Sequence, residues 1–413
     1  MDNKKDEQES KSETNSGHTR RDFIKTSAIA AVAAGTSGLL GSHSAQASEN
    51  PTNKPNLTPT GNTTMGPYPT DAMAVSSPTS PHKLIQIQRR ALGPNDVAIK
   101  MHYCGICHSD IHTAHGDWGP VKYPMVTGHE LAGEVVAVGS SVSKFKVGSR
   151  VGVGCMVDSC GHCKECLGGQ EQYCENGPIW TYNSTDKDGT PTHGGYSKFV
   201  VVNENFVIRV PDSIDLADAG PMMCAGVTVY SPFRHWNVGP DKKIAIMGLG
   251  GLGHMATQIA TAMGANVTVI TTSPDKVKDA HKFGARDVIV NNGSADLKKY
   301  MRTFDFILDT IPYNHEFNNI FPMLKRDATL CRVGVGKVTE PHSLGPFAVS
   351  NTRNSFAGST IGSVRETQDL IDFCAIHKIR PQITKVPFTK IDDSWAKVVE
   401  KKARYRFVID MKA

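Results

Sequence analysis

Short apolar runs separated by glycines characterise the chain between residues 82 and about 220. The clearest of these runs, rich in β-branched residues and alanine, are residues 96–101, 131–138 and 198–202. Runs of this length are typical of β-strands, and glycines at their ends are typical of turns. The pattern predicts a mostly antiparallel, barrel-like β domain.

The pattern changes between residues 243 and 361, where apolar strands alternate with segments of helical periodicity. The strands expected here are residues 243–247, 267–271, 287–291, 304–311 and 329–335. Alternation of this kind predicts an α/β domain in which a parallel sheet carries helices on both faces.

Residues 1–47 have the three parts of a secretory signal. Arg20-Arg21 precedes a weakly apolar stretch rich in Ala and Gly at residues 26–41, and an Ala-x-Ala cleavage pattern follows at residues 45–47. Paired arginines are typical of a twin-arginine signal, which a receptor of the export machinery recognises. A surface amphipathic helix is the alternative. We therefore expect an exported protein, periplasmic rather than cytoplasmic, with the twin-arginine machinery as a partner.

Residues 48–81 interleave prolines with Thr, Asn, Ser and Gly, and this composition predicts an extended, disordered linker. The total of 413 residues fits two domains with an appendage. A hydrophobic content of 39% excludes disorder throughout, and a net charge of +5 gives no reason to expect a nucleic-acid partner. No apolar run is long enough for stable insertion into a membrane.

Four cysteines close together have the spacing of a zinc site. They follow the pattern C-x2-C-x2-C-x7-C and are Cys160, Cys163, Cys166 and Cys174. Four thiolates satisfy a tetrahedral zinc ion completely, so such a site has a structural role. Two disulfides or an iron–sulfur cluster are the alternatives. Folding in the reducing cytoplasm before twin-arginine transport would favour metal loading over oxidation.

A second set of ligand-type residues is dispersed along the chain. Cys104 and Cys107 lie in a Cys-Gly-Ile-Cys-His-Ser-Asp motif, His129 and Glu130 follow a glycine, and Cys224 precedes Ala-Gly. Each of these alone is more often a buried core residue than a ligand. Two thiolates and one imidazole together would match a catalytic zinc site that keeps a fourth position free.

A glycine-rich turn follows the apolar strand at residues 243–247. Its residues, in the pattern G-x-G-x-x-G, are Gly248, Leu249, Gly250, Gly251, Leu252 and Gly253. Apolar residues then recur at helical spacing from Met255 to Met263. A strand before the glycines and a helix after them are the context in which this motif holds a dinucleotide pyrophosphate.

The end of the next strand bears on which dinucleotide binds. A site for NAD has a carboxylate there, whereas this chain has Thr271, Thr272, Ser273 and Lys276. Hydroxyls and an ammonium suit a 2′-phosphate, so NADP(H) is the expected cofactor. Asp275 is an opposing charge, and the preference would weaken if it faced the ribose. A surface turn that discriminates poorly is the alternative.

Further motifs occur in a fixed order from about residue 87 to the end. They are Cys-Gly-Ile-Cys-His-Ser-Asp at 104–110, Gly-His-Glu at 128–130, the four-cysteine segment, Gln-Glu-Gln-Tyr-Cys at 170–174, Ile-Trp-Thr-Tyr-Asn at 179–183, Leu-Gly-Gly-Leu-Gly-His at 249–254, Ile-Gly-Ser at 361–363 and Arg-Tyr-Arg-Phe-Val at 404–408. In these motifs about four fifths of the chain resembles the zinc-dependent medium-chain alcohol dehydrogenases of the cinnamyl alcohol dehydrogenase type.

The resemblance implies a GroES-like, mostly antiparallel catalytic domain and a Rossmann domain, which is a doubly wound parallel sheet that binds NADP. The implied boundaries are residues 82–224 with 362–413 for the first domain and residues 225–361 for the second. Four of the cysteines are left as small buried residues, and these are Cys104, Cys155, Cys331 and Cys374.

The resemblance also assigns roles at the catalytic zinc. It implies Cys107, His129 and Cys224 as ligands, with Glu130 as an occasional or orienting ligand. Asp110 is implied as a hydrogen-bond partner of the ligands.

A proton relay and a substrate pocket are implied in the same way. Ser109, where the family usually has threonine, would take the proton from the alcohol and pass it toward the cofactor ribose, and His112 would relay it to solvent. Trp118 and Trp180 fall where the family lines its substrate pocket. A plain surface histidine and two packing aromatics are the alternatives.

The sequence therefore predicts an NADP-dependent zinc alcohol dehydrogenase or aldehyde reductase with two Zn²⁺ per chain. The expected partner molecule is a small primary alcohol or aldehyde, aromatic or of medium chain length, and the resemblance implies a homodimer. One alternative is an exported zinc- or dinucleotide-binding protein without turnover, because free NADP(H) should be scarce outside the cytoplasm. Another is an NAD-linked polyol or formaldehyde dehydrogenase, although the absence of an acid at Thr272 argues against it.

Overall fold

Two large sheets of different connectivity organise the protein. The computed structural model describes residues 66–293, 295–340 and 343–413. The expected signal at residues 1–47 and the expected linker up to residue 65 lie outside the described residues. In the part of the chain that the structure describes, no helix is both long and apolar enough to cross a membrane.

The strands are numbered along the chain. They are β1 (Tyr68–Ala74), β2 (Lys83–Arg89), β3 (Asp96–Ile106), β4 (Leu131–Val138), β5 (Arg150–Val153), β6 (Met156–Asp158), β7 (Ile179–Trp180), β8 (Phe199–Asn203), β9 (Val207–Arg209), β10 (Lys243–Met247), β11 (Asn266–Thr271), β12 (Asp287–Val290), β13 (Phe304–Asp309), β14 (Leu324–Arg332), β15 (Ser355–Gly358), β16 (Ile383–Pro387) and β17 (Arg406–Asp410).

The α-helices are numbered in the same way. They are α1 (His108–His115), α2 (Lys164–Leu167), α3 (Leu216–Pro221), α4 (Val227–His235), α5 (Gly253–Ala262), α6 (Val277–Lys282), α7 (Val364–His377) and α8 (Ile391–Val399). A π-helical turn, Met222–Gly226, joins α3 to α4.

Strands β10 to β15 form the parallel sheet, in the spatial order β12-β11-β10-β13-β14-β15, and each neighbouring pair is parallel. Ile244 and Ile246 of β10 pack into a core with helices α4 and α5, whereas Ala245 and Met247 pack on the other face with Phe321. Successive side chains of a strand point to opposite faces, so burial of both sets means that the sheet is covered on both sides. The predicted doubly wound sheet is confirmed.

The other large sheet has the order β16-β17-β3-β4-β5-β9, with β8 also paired to β3. Its neighbouring pairs are antiparallel except for β16 with β17. The mostly antiparallel architecture is therefore confirmed. Strands from both ends of the described chain contribute to it, since β16 and β17 follow the parallel sheet in sequence. The residue numbers proposed for the domain boundaries stay predictions.

The prediction of a disordered linker is wrong from Tyr68 onward, where the structure describes a strand. Tyr68–Ala74 forms β1 and pairs antiparallel with β2, from Tyr68 opposite Arg89 to Ala74 opposite Lys83. The run from Ala72 to Val75 is buried in the core of the antiparallel region. Proline is tolerated at the exposed edge of a strand. The proline-rich composition therefore concealed a short apolar run.

Helix α7 is held against the turn that carries Cys224. Gly226 lies so close to the helix that a Cβ atom there would be 2.6 Å from Cδ2 of Leu370. A capping box fixes the start of α7: Ser363 Oγ accepts from the Glu366 N–H at 3.1 Å, and Glu366 Oε2 accepts from the Ser363 N–H at 2.9 Å. The cap thereby sets the position of a helix that supports the site.

We expect Ser363→Ala to lower the free energy of unfolding by about 1 kcal/mol, because it leaves an N–H at the buried start of α7 without its acceptor. Urea unfolding measures the change. The matched control is Ser213→Ala at an exposed serine outside any helix, for which little change is expected. Equal stability of the two variants would contradict this role of the cap.

Candidate active site

Three segments of the chain bring four ligand-type side chains together. Cys107 precedes α1, His129 and Glu130 precede β4, and Cys224 lies in the π-helical turn. One ligand atom from each of the four lies within 4.8 Å of the others, and all four residues are buried. His129 Nε2 is 3.2 Å from Cys224 Sγ, which is 4.0 Å from Cys107 Sγ. Two thiols and an imidazole in this arrangement fit a zinc ion that keeps one position for substrate.

Asp110 orients the ligands of this cluster. Its fully buried carboxylate accepts from the Cys107 N–H at 2.9 Å and from the Gly128 N–H at 3.1 Å. Its Oδ1 is also 3.0 Å from His129 Nδ1. A proton on Nδ1 directs Nε2 of His129 to the thiols, which is how carboxylates commonly orient metal-binding histidines.

Glu130 is held beside the cluster by an arginine that the sequence analysis does not assign. Its Oε1 pairs with the guanidinium of Arg406 in β17, and both side chains are buried. Among the described residues, Oε2 of Glu130 has no hydrogen-bond partner. An unpaired carboxylate oxygen next to two thiols fits the expected role of an occasional ligand. The available signal for Arg406 was an arginine directly before the apolar run Phe407-Val408-Ile409.

The two relay candidates lie on α1. Ser109 Oγ is 3.5 Å from Cys107 Sγ, and His112 follows three residues later on the same helix face. His112 is buried, and its Nδ1 is 2.8 Å from Oδ2 of Asp117. Burial alone would raise the pKa of Asp117, but the hydrogen bond from His112 and the ammonium of Lys337 hold that pKa below its usual range. Asp117 is a further residue without an assignment from the sequence.

One large cavity joins this cluster to the parallel sheet. Its volume is about 1040 Å³, and it is lined by Ser109, His112, Trp118 and Trp180 as well as by Cys107. Both tryptophans therefore face the cavity, as expected of pocket residues. Trp118 also bridges the two sheet regions, because its Nε1 donates to the carbonyl oxygen of Gly336 at 2.9 Å.

Cys155 is not the small buried residue that the sequence predicts. It is half-buried, it lines the cavity, and its thiol interacts with that of Cys224. The reason is its position just after β5, where the strand ends at the cavity. Cys104, Cys331 and Cys374 are buried.

The glycine-rich turn forms another part of the cavity wall. Residues 248–252 line the cavity, and Gly253 begins α5. Gly248 has a φ of +88°, which favours glycine, and a Cβ on Gly253 would lie 1.9 Å from the carbonyl oxygen of Gly248. The chain thus packs strand, turn and helix too tightly for side chains at these positions. The backbone is left open to a ligand at the start of a helix.

The same cavity is lined by Thr271, which ends β11, and by Thr272, Ser273 and Lys276, which follow it. Lys276 is buried and its Nζ donates to the carbonyl oxygen of Leu249 at 2.9 Å. Burial lowers the pKa of this lysine. The polar corner that the sequence predicts is therefore present, with its lysine bonded to the glycine-rich turn.

The four clustered cysteines form a second ligand group. Their sulfur atoms all lie within 4.8 Å of one another, with Cys160 3.8 Å from Cys166 and Cys163 4.0 Å from Cys174. A tetrahedron of zinc–sulfur bonds of about 2.3 Å has an edge of about 3.8 Å, whereas a disulfide needs about 2.05 Å. The distances fit one four-thiolate zinc site and do not fit two disulfides.

Backbone donors lower the pKa of two thiols in this group, Cys160 and Cys163, whereas burial raises the pKa of Cys166. The N–H of His162, and to a smaller extent that of Cys163, lowers the pKa of Cys160 to about 5. The segment is attached near the start of α7, where Glu171 Oε2 accepts from the Val364 N–H at 3.4 Å. A metal here therefore stabilises a segment that contacts the rest of the fold.

Two family models match the chain. Residues 93–212 match the alcohol dehydrogenase GroES-like domain, and residues 251–375 match the zinc-binding dehydrogenase domain. A Mycolicibacterium smegmatis protein named NADP-dependent alcohol dehydrogenase C 1 is 48% identical over 340 residues, which cover 82% of this chain and 97% of that protein.

The chain belongs to the zinc-dependent medium-chain alcohol dehydrogenases.

Two further likenesses agree with this alcohol dehydrogenase family. A Bacillus subtilis protein named probable formaldehyde dehydrogenase is 46% identical over 344 residues, covering 83% of this chain and 98% of that protein. The structure of a cinnamyl alcohol dehydrogenase from Sorghum bicolor superposes with a TM-score of 0.81 at 37% identity, covering 84% of this chain and 98% of that one.

We expect Cys163→Ser to reduce the zinc content of this dehydrogenase from two equivalents to about one. The free energy of unfolding should fall by about 2 kcal/mol or more, because a three-thiolate site holds zinc less tightly. Metal analysis and urea unfolding measure the two effects. Cys374→Ser, at a buried cysteine of α7 outside both ligand groups, is the control and should keep both ions. Two tightly held zinc ions in Cys163→Ser would refute the four-thiolate site.

Proposed function

We propose that this alcohol dehydrogenase transfers hydride between a primary alcohol and NADP⁺, and that it also works in reverse as an aldehyde reductase. The substrate is aromatic or of medium chain length. The observation that carries the proposal is the single cavity that contains both the Cys107–His129–Cys224 cluster and the glycine-rich turn. A hydride donor and its acceptor must meet, so a shared cavity is the arrangement that the reaction requires.

The residues present fit both cofactors. The donor set of two thiols, an imidazole and a nearby carboxylate suits Zn²⁺. The close approach of Gly253 to Gly248 excludes side chains from the turn, so a pyrophosphate can reach its backbone N–H groups. Zinc held by this donor set supplies Lewis-acid polarisation of the substrate oxygen and lowers the pKa of an alcohol there.

Helix α1 supplies two proton-transfer groups. In our proposal Ser109 Oγ takes the alcohol proton, and His112 passes it towards solvent. Asp117 fixes the His112 ring through Nδ1 of the imidazole. Among the described residues, Nε2 of His112 has no hydrogen-bond partner. A buried Nε2 without a partner is available to take up a proton.

The preference for NADP(H) is supported by the hydroxyl groups of Thr271, Thr272 and Ser273, which occupy the place where NAD sites have an acid. The relative from Mycolicibacterium smegmatis is also named as an NADP-dependent enzyme. The indole rings of Trp118 and Trp180 give the cavity apolar walls that suit an aromatic or medium-chain substrate and keep water from it.

We expect Ser109→Ala to lower kcat for aldehyde reduction by roughly 10²-fold, because a positioned proton-transfer group contributes about this much. The KM for NADPH should change little. Ser109→Thr keeps the hydroxyl and should retain most of the activity. Steady-state kinetics of both variants measure the difference, and a fully active Ser109→Ala enzyme would exclude this serine from the relay.

The wild-type chain from Ser48 should oxidise NADPH in the presence of an aromatic aldehyde, faster than NADH. A zinc chelator should abolish the reaction, since the cluster then lacks its metal. Cofactor absorbance measures the rate, with formaldehyde run in parallel. Faster turnover of NADH with formaldehyde would favour the NAD-linked alternative. Two bound zinc ions without any turnover would favour an exported binding protein.

We also propose that residues 1–47 are a twin-arginine export signal and that the mature protein is a periplasmic homodimer. Support for export comes from the sequence alone, in Arg20-Arg21 and the small residues at 45–47. The dimer rests on the family resemblance. Finding the native protein in the cytoplasm with residues 1–47 intact would refute the export proposal.

A further inference from the structure

The corner of the cavity after β11 has two walls from distant parts of the chain. One wall is the turn after β11, with Ser273 and Lys276 facing the cavity. The other wall is the segment between α8 and β17, from which Lys401 and Tyr405 face the same cavity. A ligand bound in this corner therefore experiences charges from both walls.

An ion pair connects the two walls. The guanidinium of Arg404 pairs with the carboxylate of Asp275, and the two side chains are 36% and 63% exposed. An ion pair as exposed as this contributes little to folding stability. Its main effect is therefore on the local charge next to Lys276, which follows Asp275 in the sequence, and near Ser273, two residues before it.

The segment that carries Arg404 is fixed by its neighbour Tyr405. The Tyr405 hydroxyl donates to Oδ2 of Asp279 at 2.5 Å, and its ring stacks on the ring of His254 at a centroid distance of 5.2 Å. The guanidinium of Arg404 lies 5.9 Å from the centroid of the Tyr405 ring. The contacts of Tyr405 thus keep the Arg404 guanidinium next to the carboxylate of Asp275.

Without Arg404, Asp275 would be an unpaired carboxylate four residues after the end of β11, the second strand of the Rossmann unit. A carboxylate in this region accepts from the ribose hydroxyls of NAD and repels a 2′-phosphate. The ammonium of Lys276 compensates only in part, because it also bonds to the carbonyl oxygen of Leu249 at 2.9 Å. Loss of Arg404 would therefore make the net charge of Lys276, Lys401, Asp275 and Arg404 less positive by one unit.

We propose that Arg404 is a cofactor-specificity residue: by pairing with Asp275 it cancels an acidic charge beside the 2′-phosphate corner and so favours NADP(H) over NAD(H). This inference rests on the proposed NADP(H)-linked function. It adds a residue about 130 positions away from the motif after β11 to the determinants of cofactor choice.

The test uses adenosine 2′,5′-bisphosphate and 5′-AMP, two ligands that differ only in the 2′-phosphate. Their dissociation constants are measured by calorimetry on the zinc-loaded chain from Ser48, without any turnover. The variants are Arg404→Gln, Asp275→Asn and the double variant. Arg353→Gln is the matched control, because it breaks another exposed arginine–aspartate pair, with Asp327. The sequence neighbours of that pair do not line the cavity, whereas Lys276 and Tyr405, next to Asp275 and Arg404, do. Thermal melting checks that each variant is folded.

We expect Arg404→Gln to weaken bisphosphate binding on the order of tenfold, as the loss of one nearby positive charge would, and to leave AMP binding unchanged or tighter. Asp275→Asn alone should bind the bisphosphate at least as tightly as wild type. The double variant has the wild-type net charge in the corner, so its bisphosphate affinity should return to within about threefold of wild type. Arg353→Gln should match wild type.

Two results would overturn the inference. Equal weakening of both ligands in Arg404→Gln would mean a merely structural role. A selective loss that Asp275→Asn does not rescue would mean that Arg404 does not act by cancelling Asp275. A wild-type chain that binds the bisphosphate no more tightly than AMP would instead refute the proposed NADP preference itself, which separates the two failures.

Discussion

The catalytic cluster depends on one buried carboxylate. Asp110 is fully buried and accepts hydrogen bonds from the Cys107 and Gly128 N–H groups, from the His129 ring and from the hydroxyl of Tyr196 at 3.1 Å. A buried charge is costly unless it is fully hydrogen-bonded, so each of these segments is held where it can donate. Asp110 thereby fixes two of the expected zinc ligands, Cys107 and His129, before any metal binds.

Arg406 connects this cluster to the cofactor side of the cavity. Its guanidinium pairs with Glu130, and a Cβ on Gly251 would lie 2.8 Å from its Nη1. One buried cation therefore contacts both the carboxylate beside the metal ligands and the glycine-rich turn. Because Arg406 begins β17, the end of the chain completes a site whose other parts lie up to about 300 residues earlier. Strand β17 therefore contacts both halves of the cavity.

The features that were predictable from the sequence are local ones. The four-cysteine group and the glycine-rich turn each lie within fifteen residues or fewer, so their spacing alone defines the geometry. The choice of Cys107 over Cys104 needed the family resemblance. Cys104 lies in β3 and is buried in the core, whereas Cys107 caps α1 at the cavity, and strand alternation cannot tell which face has a cavity.

The residues that were missed act through non-local contacts. Asp117 becomes informative only through its contact with His112, and β1 was concealed because its partner strand β2 lies beyond a proline-rich segment. The role of Asp275 at the cofactor corner also depends on a contact with a distant part of the chain. An acid after β11 opposes the expected NADP(H) preference when the turn is considered alone, but its effect depends on Arg404, which pairs with it from another part of the chain. In our proposal cofactor choice is a property of the net charge of the assembled corner. The residues of one turn therefore do not determine that charge alone, because Arg404 contributes to it from a distant part of the chain.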